Sequence, residues 1–497
     1  MQMRVFLTAL LAIALSACTS LTDRASRSLN APGLEGTRWG LVVMTMDGKE
    51  LIAIRPDERF TPASNTKIFT VVAAFHRLGD LTQVDPTMGT SVRLVNSVSG
   101  TPDLVLVGGG DPVLVDGADC VRDCLASLAD MVVQNGVTRV RNVVGDDRLY
   151  PDQPWALGWS WEDLVTRSGA PTSALTVNSN EVGIIVQPGA AVGDPAVVTW
   201  RPSDVLDGNP PYALTNEMVT VGSVNGDPDA LIGLERPAGS SGIRVYGRVE
   251  AGSATRTIPV AMTSPAEAAA WRFAHLLRER GVTIEGTAQA AHRPQQLEDN
   301  SKYRGDRSVP LPAMEGVEIA RLLPPPMIED AIFLMKQSQN LHAELFLRRV
   351  GRVEGSGSVE DGLAAIEQML TGIGIDRSGW DFSDGAGMSI YNRVTPRTVA
   401  KLLHWSTKQS WADQFRTTLP VGGVDGTLRR RFAGTSLEGR VFAKTGTLNG
   451  VNALSGFMLT KSGKTLIFSA YANDRPSVAG PATAAMDAAL VEISETN

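Results

Sequence analysis

Two short apolar runs, Trp39 to Met46 and Leu51 to Ile54, flank Asp47-Gly48, a two-residue hairpin signal. The pattern then turns helical from about Pro62 to Arg77, with proline near the first turn. Residues 89–260 change character. Short Val-rich runs such as Leu104-Val105-Leu106-Val107 alternate with Gly, Pro, Asn and Asp, predicting strands and turns with one helix near Ala118–Val133. Ser264-Pro265-Ala266-Glu267 opens another helix that ends before Gly281. Pro326 to Arg349 reads as one long helix or a broken one, and Ser358 caps the next. Three strands follow, Val441–Gly446, Val451–Leu459 and Leu466–Tyr471, and a last helix covers about 481–493. The pattern predicts helices and an antiparallel sheet drawn from both chain ends, with a strand-rich insert between them.

Composition narrows the classes. The chain has 497 residues, 43% hydrophobic and 20% charged, which suits packed globular structure and excludes disorder or a fibre. A net charge of −7 gives no reason to expect nucleic acid. Three cysteines cannot build a disulfide scaffold or a zinc finger. Only nine of the 46 basic residues are lysines.

At the start, Arg4 precedes the apolar stretch Val5–Ala17, too short to span a bilayer but suited to a secretory signal at 1–17. Leu15-Ser16-Ala17-Cys18 resembles a lipobox, where cleavage leaves a lipidated Cys18, against the plainer reading of a signal peptide with a chance cysteine. Residues 18–33 read as a tether. The expected localisation is the cell envelope or periplasm, held to a membrane through that lipid alone, with Thr19 pointing to an outer membrane. Export implies an oxidising compartment, so Cys120 and Cys124 either pair or stay free thiols; on a regular helix their spacing would strain a bridge.

The common catalytic devices are missing. There is no Gly-x-Ser-x-Gly, Walker loop or His-Glu-x-x-His, and the histidines (His76, His275, His292, His342, His404) are scattered. Gly108-Gly109-Gly110 lacks a following lysine and reads as a tight turn, and Asp146-Asp147 reads as a solvated loop. No metal and no cofactor is expected. What remains is Ser64-Asn65-Thr66-Lys67 at a helix start, which places a lysine one turn above a serine hydroxyl. A serine is a poor nucleophile until a base takes its proton, and a lysine serves only when neutral. Lys444-Thr445-Gly446-Thr447 lies on a predicted strand: a second amine to repel a proton from Lys67, a hydroxyl for a substrate carboxylate, and a glycine for close backbone approach. Ser338-Gln339-Asn340 adds a hydroxyl to pass protons and an amide to hold a carbonyl.

This trio in this order resembles the signature of penicillin-binding proteins and serine β-lactamases. The chain from about Arg38 onward is most similar to the class C low-molecular-mass penicillin-binding proteins, D-alanyl-D-alanine carboxypeptidase/endopeptidases. Supporting stretches are Gly108–Pro112, Asp384-Gly385-Ala386-Gly387-Met388-Ser389, Tyr391–Pro396 and Gly423–Leu428. Ala386 and Met388 stand where that branch carries serine and leucine. The resemblance implies an α/β (α+β) fold: a transpeptidase-like domain from 34–85 and 260–497, helices on an antiparallel sheet, carrying an insert at 86–259.

The resemblance also implies roles. Ser64 is the nucleophile, Lys67 its base, Ser338 the relay to the leaving amine, and Asn340 the orienting amide. Lys444, Thr445, Gly446 and Thr447 bind substrate, and the N–H groups of Ser64 and Thr447 form the oxyanion hole. Expected partners are peptidoglycan stem peptides and cross-links, with β-lactams as covalent inhibitors. The rival readings are a serine β-lactamase and an inactive peptidoglycan-binding lipoprotein.

Overall fold

The computed structural model describes residues 20–497 except 99, 118, 224–230, 306, 308, 310–311 and 477–481. The signal, the lipobox and Cys18 lie outside the described residues. Five antiparallel strands form one sheet in the order Val441–Leu448, Val451–Leu459, Thr465–Asn473, Arg38–Thr45, Glu50–Ile54, so the chain's two ends pair directly. The sheet is buried on both faces, and its side chains alternate between them as the pleat requires. Val42, Met44, Ala453 and Phe457 face one core; Leu41, Val43, Leu454 and Met458 face the other.

The first face carries the helices Thr66–Arg77, Met327–Gln337, Asn340–Arg352, Val359–Gly372 and Pro396–Ser406. Every residue from Thr66 to Phe75 is buried, as expected of a helix enclosed on all sides. The opposite face is covered by the C-terminal helix Thr483–Thr496 and by Leu21–Leu29. That second helix corrects the tether expected at 18–33. Leu21, Ala25 and Leu29 recur every fourth position, make one apolar stripe, and Ala25 and Leu29 are buried in that core. Ser20 caps it through a reciprocal box with Asp23.

The insert is built on a second five-stranded sheet, ordered Ala288–Ala291, Val143–Asp146, Asp103–Val107, Ser91–Val95, Val317–Arg321. Helices Leu125–Gln134 and Pro265–Glu279 pack on it, and two three-stranded sheets extend the same core. The boundary expected near 260 therefore moves. The helix from Pro265, the strand Ala288–Ala291 and the strand Val317–Arg321 all pair or pack with the insert, so the chain returns to the first sheet's helices only at about Met327.

Smaller departures have local causes. The helix expected over Ala118–Val133 begins at Leu125, so both cysteines precede it and are joined as a Cys120–Cys124 disulfide. Asp146 and Asp147 are buried rather than solvated, because Arg148 meets the first while Ser173 and His292 meet the second. Among the described residues no helix is long and apolar enough to cross a membrane.

Candidate active site

The long helix expected over 326–349 is broken, and the break builds the site. Met327–Gln337 stops at Ser338, whose backbone is left-handed at φ 61°, and Asn340–Arg352 starts after it with Gln339 as its cap. That left-handed turn costs an L-residue roughly 1 kcal/mol or more, and the Ser338 hydroxyl meets Lys444 there. Ser64 sits on the single turn Ala63–Asn65 that leads into Thr66–Arg77. Ala63 is itself left-handed, φ 48°, so the hydroxyl is delivered from a constrained bend.

The three motifs converge here. Lys67 Nζ donates to Ser64 Oγ at 3.0 Å, to Asn340 Oδ1 at 2.7 Å and to the Ala386 carbonyl at 2.5 Å. Lys444 Nζ donates to Ser338 Oγ at 2.8 Å and to the Thr445 carbonyl at 3.0 Å. Both ammonium groups are fully buried, and neither forms an ion pair among the described residues. Burial pushes Lys67 down to about 7, against the pull of Asp384 and Glu344. Burial also holds Lys444 well below the usual lysine range, with Lys67 adding to the effect. Burial and a neighbouring cation are the two expected causes of a neutral Lys67; burial is the cause that acts on it, and the repulsion between the amines shows on Lys444.

The strand Val441–Leu448 lines the other side. Ala443 N–H donates outward to Pro420, and the Val441 carbonyl accepts outward from Gly422, while the Arg440 carbonyl serves Leu459 of the next strand. Alternation along an antiparallel ladder therefore turns the N–H groups of Thr445 and Thr447 to the free edge. Gly446 is required: a Cβ there would stand 2.5 Å from the Pro62 carbonyl. Thr445 Oγ1 also meets Thr427 Oγ1 at 2.8 Å.

A layer beneath Lys67 escaped the sequence reading. Glu344, one turn beyond Asn340, is fully buried; its Oε1 accepts from the N–H groups of Gly385 (2.7 Å) and Ala386 (2.8 Å). This aims the Ala386 carbonyl at Lys67. Burial and then the Asp384 carboxylate raise Glu344 to about 7. Asp384 in turn accepts from Gly387, Ser389, Asn392 and Trp159. The Ala386 side chain takes no part, so the missing serine leaves this contact intact. The i,i+4 spacing of Asn340 and Glu344 was the available signal, but a glutamate one turn on is usually a solvated helix residue. The insert also reaches in: the Ser168 carbonyl accepts from Asn340 Nδ2 at 3.0 Å.

Among the described residues no group of His, Cys, Asp and Glu is placed to hold a metal. What the arrangement offers is a hydroxyl with a buried base at hydrogen-bond distance, a second amine–hydroxyl pair, and free N–H donors on an edge strand. Those are the parts of covalent acyl transfer.

Comparison with known proteins agrees in class. The model of the D-Ala-D-Ala carboxypeptidase 3 (S13) family matches residues 21–496. A D-alanyl-D-alanine carboxypeptidase of Actinomadura sp. (strain R39) is 34% identical over 496 residues, covering 96% of this chain and 85% of that one. The D-alanyl-D-alanine carboxypeptidase DacB of Haemophilus influenzae is 26% identical, covering 88% and 86%. The crystal structure of penicillin binding protein 4 (dacB) from Haemophilus influenzae has the same fold, with a TM-score of 0.75 over 96% of this chain and 98% of that one at 22% identity.

Proposed function

This chain belongs to the D-Ala-D-Ala carboxypeptidase 3 (S13) family, and from that premise we propose that it hydrolyses D-alanyl-D-alanine termini and cross-links of peptidoglycan through a Ser64 acyl-enzyme. One observation carries the assignment of residues: a fully buried lysine amine, depressed to about 7, lies 3.0 Å from the Ser64 hydroxyl. Lys67 takes the Ser64 proton as Oγ bonds to the carbonyl carbon of the penultimate D-alanine. The N–H groups of Ser64 and Thr447 hold the resulting oxyanion. The carbon–nitrogen bond then breaks as the proton taken by Lys67 is relayed through the Ser338 hydroxyl, backed by Lys444, to the departing amine, leaving Lys67 neutral and Ser338 protonated. Asn340 orients the acylated peptide, while Thr445 and Lys444 meet the terminal carboxylate and Gly446 lets the peptide backbone lie close. Water finally cleaves the ester, yielding the shortened peptide and free Ser64.

A β-lactam opens onto the same serine, and one related structure was solved with a β-lactam bound. Incubation with penicillin followed by peptide mass mapping tests the assignment. An adduct on the Ser64 peptide is expected; folded protein that stays unmodified there overturns it.

We further infer a catalytic unit formed by the two chain ends, with the strand-rich part inserted after the Ser64 helix. Export and a lipid anchor at Cys18 rest on the apolar run and lipobox-like residues alone. The mass of the mature N-terminus checks them, a diacylglyceryl cysteine being expected and an unmodified first residue refuting the anchor.

A further inference from the structure

A cavity of about 760 Å³ opens where the insert meets the far end of the Ser64 helix. Arg77 on its wall lies ten residues along that helix from Lys67, about 15 Å away at 1.5 Å per residue. The volume is in the range of small-ligand sites. Its lining carries five guanidinium groups, Arg77, Arg148, Arg321, Arg349 and Arg352, against two carboxylates, Asp85 and Asp146, in a chain of net charge −7.

Four of these arginines already have carboxylate partners. Arg349 meets Asp85, Arg148 meets Asp146, Arg321 meets Glu318, and Arg77 meets Glu354. Arg352 is different. It donates to the Gly355 carbonyl at 2.6 Å and, among the described residues, forms no ion pair. Burial lowers it from the usual arginine range, Arg293 and Arg349 adding to the effect and Tyr150 and Asp361 opposing it, so an anion directly beside it would be favoured. Between these donors the wall is apolar, through Leu78, Val107, Met314 and Val353, and among the described residues no aromatic ring lines it. Such a surface suits carboxylates on a body of small apolar groups and offers no base a stacking platform. Through Arg77 the cavity borders a second hollow of about 440 Å³, the extension that a polymer requires.

We propose that this cavity is a second binding site that grips a peptide bearing two or more carboxylates and small apolar side chains, namely another stem peptide of the polymer being cut. The proposal rests on the peptidoglycan reading above. It assigns the insert a share in holding the network while Ser64 works on a neighbouring strand.

The test uses the full chain with Ser64 blocked by penicillin, titrated calorimetrically with the tripeptide L-Ala-γ-D-Glu-meso-diaminopimelate, which lacks D-Ala-D-Ala. Saturable binding is expected, with the tripeptide amidated at its carboxylates at least tenfold weaker. Arg352→Gln and Met314→Glu should each weaken binding at least fivefold. The second side chain is 51% exposed, so the fold tolerates the change. No binding, equal binding of the amide, or wild-type affinity in both variants overturns the proposal. If penicillin leaves Ser64 unmodified, the acyl-enzyme reading fails by itself, and the same titration on the unmodified protein still reads the cavity.

Discussion

The side-chain amide of Asn65 donates to the main-chain carbonyl of Lys444 at 2.9 Å, across 379 positions of sequence. It pins the turn that carries Ser64 to the strand that carries the second amine. The bond is buried and joins two elements whose spacing neither sets alone. Asn65→Ala should lower the rate of acylation by fluorescent penicillin about tenfold, in line with losing a buried hydrogen bond of 1–2 kcal/mol. An unchanged rate would show that strand and turn hold their spacing without it.

Acylation should depend on pH through Lys67. Its amine is depressed to about 7, so the neutral, proton-accepting form is scarce below that value and prevails above it. The acylation rate should rise about tenfold per unit below pH 6 and level off above about pH 8. Rapid-mixing kinetics with a chromogenic cephalosporin reads this. A rate that falls with rising pH across the window contradicts a lysine base.

Glu344 modulates that midpoint. Its carboxylate favours the Lys67 ammonium, so removing the charge while keeping the acceptor for Gly385 and Ala386 should lower the Lys67 pKa. Glu344→Gln should move the acylation midpoint to lower pH, with the plateau rate within tenfold of the parent. A purely structural glutamate would change the plateau or the stability and leave the midpoint in place.

Gly387 presses against the bend before the nucleophile. A Cβ there would sit 2.0 Å from the Ala63 carbonyl and 3.0 Å from the Ser64 nitrogen, at a φ of +86° that side chains avoid. Gly387→Ala should displace Ser64 and cut acylation at least a hundredfold, since small misplacements of a reacting group cost about that much. Acylation near the parent rate would mean the loop yields instead of the turn.

The N–H of Thr447, turned to the strand's outer edge, gives a direct probe of the proposed oxyanion hole. Thr447→Pro removes the donor at an exposed edge position, where proline costs the sheet no ladder bond. Loss of one such donor slows acyl transfer about 10²- to 10³-fold. A variant that melts like the parent and acylates at its rate would place the hole elsewhere.

Several features were legible in the residues. The hairpin at Asp47-Gly48, the three C-terminal strands and the Ser264 helix follow from periodicity and turn chemistry, and all are present. The spacing of Ser64 and Lys67 is a property of one helical turn, so their contact needs no tertiary information. The tether was misread because Leu21, Ala25 and Leu29 make a stripe too short to stand out among polar neighbours until a partner helix covers it. The helix from Pro265 is amphipathic whichever core it joins, so its pattern does not say that it packs with the second sheet.

The order of the chain thus settled which side chains carry reactive groups and which local turns present them: two hydroxyls, two amines and an amide, each on an element its own neighbours specify. Folding decided their protonation. Lys67 and Lys444 differ from the seven other lysines not in local sequence but in being sealed from water together, 0% exposed, with Glu344 and Asp384 brought alongside from two further segments. Desolvation depends on everything that packs around a charge, most of it remote in sequence, and for that reason no local pattern foretells it.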